Sequence, residues 1–112
     1  MVALSYLSLA VAILLGIVGQ IVLKGAAVGA PSVLAQLLSP ATIGGLVIYA
    51  TAAIAYVVAL NKIPVSVAFP SVAASYVIVA VIAHLLWSEP LGWPQWGGIA
   101  LIIGGIVLIH QT

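Results

Sequence analysis

Only three side chains in this chain carry a fixed charge, Lys24, Lys62 and Glu89, and each falls in a gap between long apolar runs. A helix crossing the roughly 30 Å hydrocarbon core of a bilayer needs about 20 mostly apolar residues, and the gaps leave room for such runs. They define four expected spans, at about 3–24, 41–60, 64–87 and 91–109. With short turns these use up nearly all of the 112 residues, so the expected organisation is one all-α, four-helix transmembrane domain over 1–112. Composition leads to the same place: 66% apolar residues, 3% charged and a mean hydropathy of +1.47 lie far outside the range of soluble domains.

The same counts exclude several function classes. The absence of cysteine removes disulfides and thiolate metal sites, and two separated histidines make a poor ligand set, so neither metal nor cofactor is expected. No acid, base and nucleophile converge, which argues against an enzyme. No basic stripe exists to contact phosphates of nucleic acid. The first apolar run lacks a preceding basic region and a cleavage site, and reads as a retained helix.

The first span is expected to end at Lys24 and Gly25, where a cation suits the helix C-terminus. The longest loop follows, with turn signals at Gly29, Pro31 and Pro40 around a short interfacial helix at Val33–Leu38. Asn61, Lys62 and Pro64 form a tight turn before the third span, and Ser88, Glu89 and Pro90 another before the fourth. Both termini then share one side, with Lys62 beside them and Lys24 opposite. One lysine against one sets orientation weakly by charge, leaving insertion in both orientations or orientation set by a partner subunit. Trp87, Trp93 and Trp96 bracket the Glu89 turn as an aromatic belt at the bilayer surface.

Polar residues inside the spans mark the candidate site. Gly16, Gln20 and Lys24, spaced four apart, form one row on the first helix and bring an amide and an ammonium to one face. Gln20 either hydrogen-bonds a neighbouring helix or lines a groove; Lys24 either anchors at the interface by snorkelling or meets an anionic lipid phosphate. Glu89, expected on the same side as Lys24, is a loop carboxylate or a partner that neutralises Lys24 in an empty site. The third span concentrates Ser66, Pro70, Ser71, Ser75, Tyr76 and His84. Pro70 is expected to kink it and to free the Ser66 carbonyl, so Ser71, Ser75 and Tyr76 line a cavity or bond to their own backbone. His84 reads as a wetted or helix-bonded histidine, or as a proton carrier. In the fourth span Gly97, Gly98, Gly104 and Gly105 fall on nearly one face, a small-residue seam expected at a dimer interface.

Four strings add a resemblance: Leu15-Gly16-Ile17-Val18-Gly19-Gln20 with Lys24; Asn61-Lys62-Ile63-Pro64-Val65-Ser66-Val67-Ala68-Phe69-Pro70; Leu86-Trp87-Ser88-Glu89-Pro90; and Trp96-Gly97-Gly98 with Ile102-Ile103-Gly104-Gly105. In order and spacing the chain resembles the four-helix, EamA-like members of the drug/metabolite transporter superfamily, and most of all the small subunits of the aminoarabinose-phosphoundecaprenol flippase. The related small multidrug resistance proteins carry a membrane-embedded glutamate in the first helix, where this chain reads Leu15-Gly16. Without that acid nothing in the span can ionise to hold a proton or cation.

The resemblance implies a small-multidrug-resistance-like bundle in the bacterial inner membrane, assembled as a homodimer or as a heterodimer with a similar subunit. The implied activity is translocation of a polyprenyl-phosphate-linked sugar or related anionic lipid. A head group of that kind loses its water on crossing about 30 Å of hydrocarbon. A groove lined by Gln20, Ser71, Ser75 and Tyr76, with Lys24 at a mouth, would supply replacement hydrogen bonds while the prenyl tail stays in lipid; Glu89 is counted with them as a substrate-binding residue. The alternatives are an exporter of small cations or drugs, and a non-transporting membrane partner of an envelope-synthesis enzyme.

Overall fold

From Val2 to Gly29 no proline interrupts the apolar sequence, and in the computed structural model, which describes residues 2–111, helix α1 runs through all of it (Val2–Gly29). The expected stop at Lys24 and Gly25 does not occur. A lone interior glycine costs a helix only about 1 kcal/mol, too little to end one that continues into Ala26-Ala27-Val28, and the chain leaves the helix just before Pro31. Helix α2 (Val33–Leu38) is capped by Ser32, whose hydroxyl accepts from the Ala35 N–H at 3.1 Å. Helix α3 (Pro40–Ala59) opens with Ser39 accepting from the Ala41 N–H at 3.2 Å and with proline in the first turn, where a missing N–H costs nothing.

The third apolar run is broken into two helices, α4 (Val65–Val72) and α5 (Ala74–Trp87), which meet at Ala73. Pro70 brings no N–H to the ladder, and the chain tightens just after it. The Ala73 N–H donates to the Pro70 carbonyl and the Tyr76 N–H to the Ala73 carbonyl, both at 3.0 Å and both across three residues instead of four. Helix α5 ends at Ser88, which takes a left-handed conformation (φ 54°), and after Glu89 to Gly92 the chain enters α6 (Trp93–Ile109).

Among the described residues, three helical stretches are long and apolar enough to cross a bilayer: α1, α3, and α4 with α5 together. Helix α6 has 17 residues, about 25 Å, the short end of the range for a span. The chain is an all-α, multi-pass membrane protein. Its main packing is α1 against α3, with α5 on α1 and α6 resting against α4 and α5. The enclosed core is small, formed by Leu9, Ala59, Ile63 and Ala68 with Ile13, Tyr56, Val67 and Val72 around it, while leucines, valines and isoleucines on the outer faces stay open to lipid.

Lipid tails are as apolar as leucine, so helices here associate through close van der Waals contact rather than through exclusion of water. The closest approach is between α1 and α3. A Cβ added at Gly45 would lie 2.9 Å from Leu23 Cγ and Cδ2, and one at Gly19 would lie 3.3 Å from the Tyr49 ring. The seam glycines of α6 differ: a Cβ at Gly97, Gly98, Gly104 or Gly105 would meet nothing within 4 Å. Among the described residues, none of the four makes a close contact that would fix α6 against the rest of the chain.

Candidate functional site

Because α3 runs back along α1 while α5 runs parallel to it, residues at the same height on the three helices face a common space. That space is a cavity of about 580 Å³. Helix α1 contributes Gly16 and Gln20; α3 contributes Tyr49 and Tyr56; α4 and α5 contribute Phe69, Ser75 and Tyr76; and Glu89 closes one end from the α5–α6 turn. Gly16 and Gly19 lie under the Tyr49 ring, so absent side chains on α1 make room for an aromatic on α3. Most of the remaining wall is alanine and valine.

At the Glu89 end, the Lys24 ammonium lies 3.0 Å from the Glu89 carboxylate. Both side chains are over two-fifths exposed, at 45% and 43%, and pairs so exposed contribute only about 0–1 kcal/mol. The contact is therefore readily exchanged. The position of Glu89 is set by its backbone: the left-handed Ser88 turns the chain sharply off α5, and His84 Nδ1–H donates back to the Glu89 carbonyl at 2.6 Å. His84 is exposed and bonds the turn beyond its helix, not a carbonyl within it. Glu89 itself lines the cavity, whereas Lys24 stands outside the lining and reaches over to it. That end of the cavity is therefore marked by an ion pair.

The expected row of hydroxyls on the third run divides at the break. Ser75 faces the cavity, with its hydroxyl donating to the Val72 carbonyl at 2.7 Å. Ser71 does not line it. It is only 7% exposed, its hydroxyl donates to the Val67 carbonyl at 2.7 Å, and it lies 2.8 Å from His110 Nε2 at the end of α6. With the one hydroxyl proton committed to Val67, His110 is the donor and carries its proton on Nε2. A uniform helix would hold Ser71 and Ser75 on one face, but the tightened turn at Ala73 rotates the second away from the first. Ser71 fastens α4 to α6; Ser75 and Tyr76 belong to the cavity with Gln20 and Glu89.

The wall aromatics Tyr49, Tyr56 and Phe69 were not expected from the sequence, nor was His110. Tyr49 and Tyr56 are seven residues apart, two turns on one face of α3, a spacing that puts one above the other. The Tyr56 hydroxyl is sealed from solvent with no hydrogen-bond partner among the described residues, a state that costs about 1–3 kcal/mol.

The family model for EamA-like transporters matches residues 1–111. The chain belongs to the EamA-like transporter family. Among curated relatives, it is 38% identical over 68 residues to a protein of Escherichia fergusonii named a probable 4-amino-4-deoxy-L-arabinose-phosphoundecaprenol flippase subunit, ArnE, with 61% of each chain covered. Proteins of the same name from Pseudomonas fluorescens and Escherichia coli are also 38% identical. They align over 56 and 61 residues, covering 50% and 54% of this chain and 49% and 55% of theirs. The matches thus span about half to three-fifths of these relatives' length. No solved structure matches significantly. An EamA-like, multi-pass chain with such relatives is an integral protein of the bacterial inner membrane.

Proposed function

We propose that this EamA-like chain is one subunit of a flippase that moves a polyprenyl-phosphate-linked sugar across the inner membrane. The observation that carries the reading is the cavity between α1, α3 and α5. It is apolar along most of its wall, hydrogen-bonding through Gln20, Ser75 and Tyr76, and ends at an exposed Lys24–Glu89 pair. Such a space receives a polar head group and replaces part of its lost hydration, while the prenyl tail remains among acyl chains. The Lys24 ammonium is the natural partner for the phosphate, since its bond to Glu89 is weak enough for a doubly hydrogen-bonding anion to displace. The head group rests on the names of the relatives; assembly with a second subunit rests on those names and on the unpacked glycine face of α6.

Mass spectrometry of lipid retained by the detergent-extracted protein tests this directly. A polyprenyl phosphate bearing a sugar is the expected cargo, and Lys24→Ala is expected to lose most of it. Retention of bulk phospholipid alone, by chain and variant alike, would overturn the reading.

A further inference from the structure

The two histidines of the chain are held in opposite tautomers by their bonds. His110 meets Ser71 through Nε2 at the end of α6, whereas His84 donates from Nδ1 to the Glu89 carbonyl at 2.6 Å. A carbonyl only accepts, so the single ring proton of neutral His84 is kept on Nδ1 and the lone pair is left on Nε2. The side chain is exposed and stands outside the cavity lining, and among the described residues nothing bonds its Nε2. A second proton therefore enters from water without breaking the bond to Glu89.

Resting on the reading that Lys24 receives an anionic head group, we propose that His84 is a proton-operated positioning residue of that site. With one proton on its ring it only holds the backbone of the Glu89 turn. With two it also sets a second cation beside that turn, and the anion is bound more tightly at mildly acidic than at alkaline pH. Imidazole is the side chain whose charge ordinarily changes across that range.

The surrounding charges fix the sign. Helix α5 packs against α1, α4 and α6. From α1 the group at this end is Lys24, and from the turn it is Glu89; paired at 3.0 Å, their charges cancel. Tyr6 lies near the other end of α1 and His110 at the far end of α6, while α4 carries no titratable side chain. On α5 itself Tyr76 is uncharged at these pH values. Uptake of a proton by His84 thus takes this end of the cavity from neutral to singly positive. A unit charge one side-chain length away, in a partly aqueous setting, strengthens anion binding about three- to fivefold. By linkage, the bound anion favours the doubly protonated ring by the same factor.

The test uses the full chain in zwitterionic nanodiscs and methyl dodecyl phosphate, a diester whose single negative charge is constant over the pH values compared. Binding is measured calorimetrically at about pH 5.5 and about pH 8.5, on either side of the histidine range, with protein-free nanodiscs subtracted. The parent is expected to bind about three- to fivefold more tightly at the lower pH. His84→Gln, whose amide still donates to the Glu89 carbonyl but takes no second proton, binds at the weaker level at both. His84→Lys, cationic throughout, binds at the tighter level at both, and His110→Gln keeps the parent profile. Nitrogen-15 spectra of labelled histidine at the higher pH are expected to show one Nδ1–H ring and one Nε2–H ring, the first absent from His84→Gln. Equal binding by the parent at both pH values, a pH dependence that survives in His84→Gln, or an Nε2–H tautomer at His84 overturns the proposal and leaves Lys24 as the anion site. Absence of binding at either pH overturns the anionic cargo reading and the proposal with it.

Discussion

Neighbouring glycines on α3 offer a stringent check on how α1 and α3 are held together. At Gly45 an added methyl lies 2.9 Å from both Leu23 Cγ and Cδ2 and 3.2 Å from Val22 Cγ1; at Gly44 it meets nothing within 4 Å. Ordinary carbon contacts begin at about 3.5 Å, so Gly45→Ala requires a retreat of roughly 0.6 Å. Leu23 Cγ is a branch point near its own backbone and cannot simply swing aside, which leaves α1 to shift. Overpacking of this kind costs about 1–3 kcal/mol, and the gain of alanine over glycine in a helix returns about 0.5–1 kcal/mol. Gly45→Ala is thus expected to destabilise by about 0.5–2 kcal/mol, whereas Gly44→Ala, with only the gain, is expected to be neutral or up to about 1 kcal/mol more stable. Reversible unfolding in mixed micelles with increasing dodecyl sulfate, followed by far-UV circular dichroism, measures both. Equal stability of the two variants would refute the close α1–α3 approach.

Three further outcomes follow from local geometry. Lys24→Ala and Glu89→Gln are each expected to change unfolding stability by less than about 1 kcal/mol, because the pair is exposed; a larger loss in the same titration would make the contact structural. Ser88→Gly is expected to stabilise by about 1 kcal/mol, since glycine adopts the left-handed conformation without strain; a lowered midpoint would contradict the φ of 54°. Ser71→Ala is expected to cost about 0.5–1.5 kcal/mol through loss of its bonds to Val67 and His110. His110→Ala in the Ser71→Ala background should then add nothing, which a double-mutant cycle reads directly.

Much of the architecture was legible because its determinants are local. Charges, glycines and prolines mark the turns, and apolar run length fixes what reaches across the bilayer. The end of α1 was misread because a lysine followed by glycine permits a helix to stop without requiring it, and the residues beyond were good helix formers. In the site, Gln20, Ser75, Tyr76 and Glu89 meet as their spacing and topology suggested, whereas Ser71 does not. Four-residue spacing predicts a shared face only in a uniform helix, and the effect of Pro70 is felt at Ala73, between the two serines. Tyr49 and Tyr56 were passed over because an aromatic in a span reads equally well as lipid-facing. For Tyr49, the approach of Gly16 and Gly19 on another helix shows which side it occupies.

The length of α1 bears on how cargo arrives. Its 28 residues extend for about 42 Å, well beyond the thickness of the hydrocarbon layer, and Lys24 precedes the helix end by five residues, or about 7.5 Å. The Glu89 end of the cavity, where Lys24 reaches, thus lies about a turn and a half inside the end of α1 rather than at its tip. On the proposed function, that recess lets a carrier lipid bring its phosphate to Lys24 from the side while its tail stays among acyl chains.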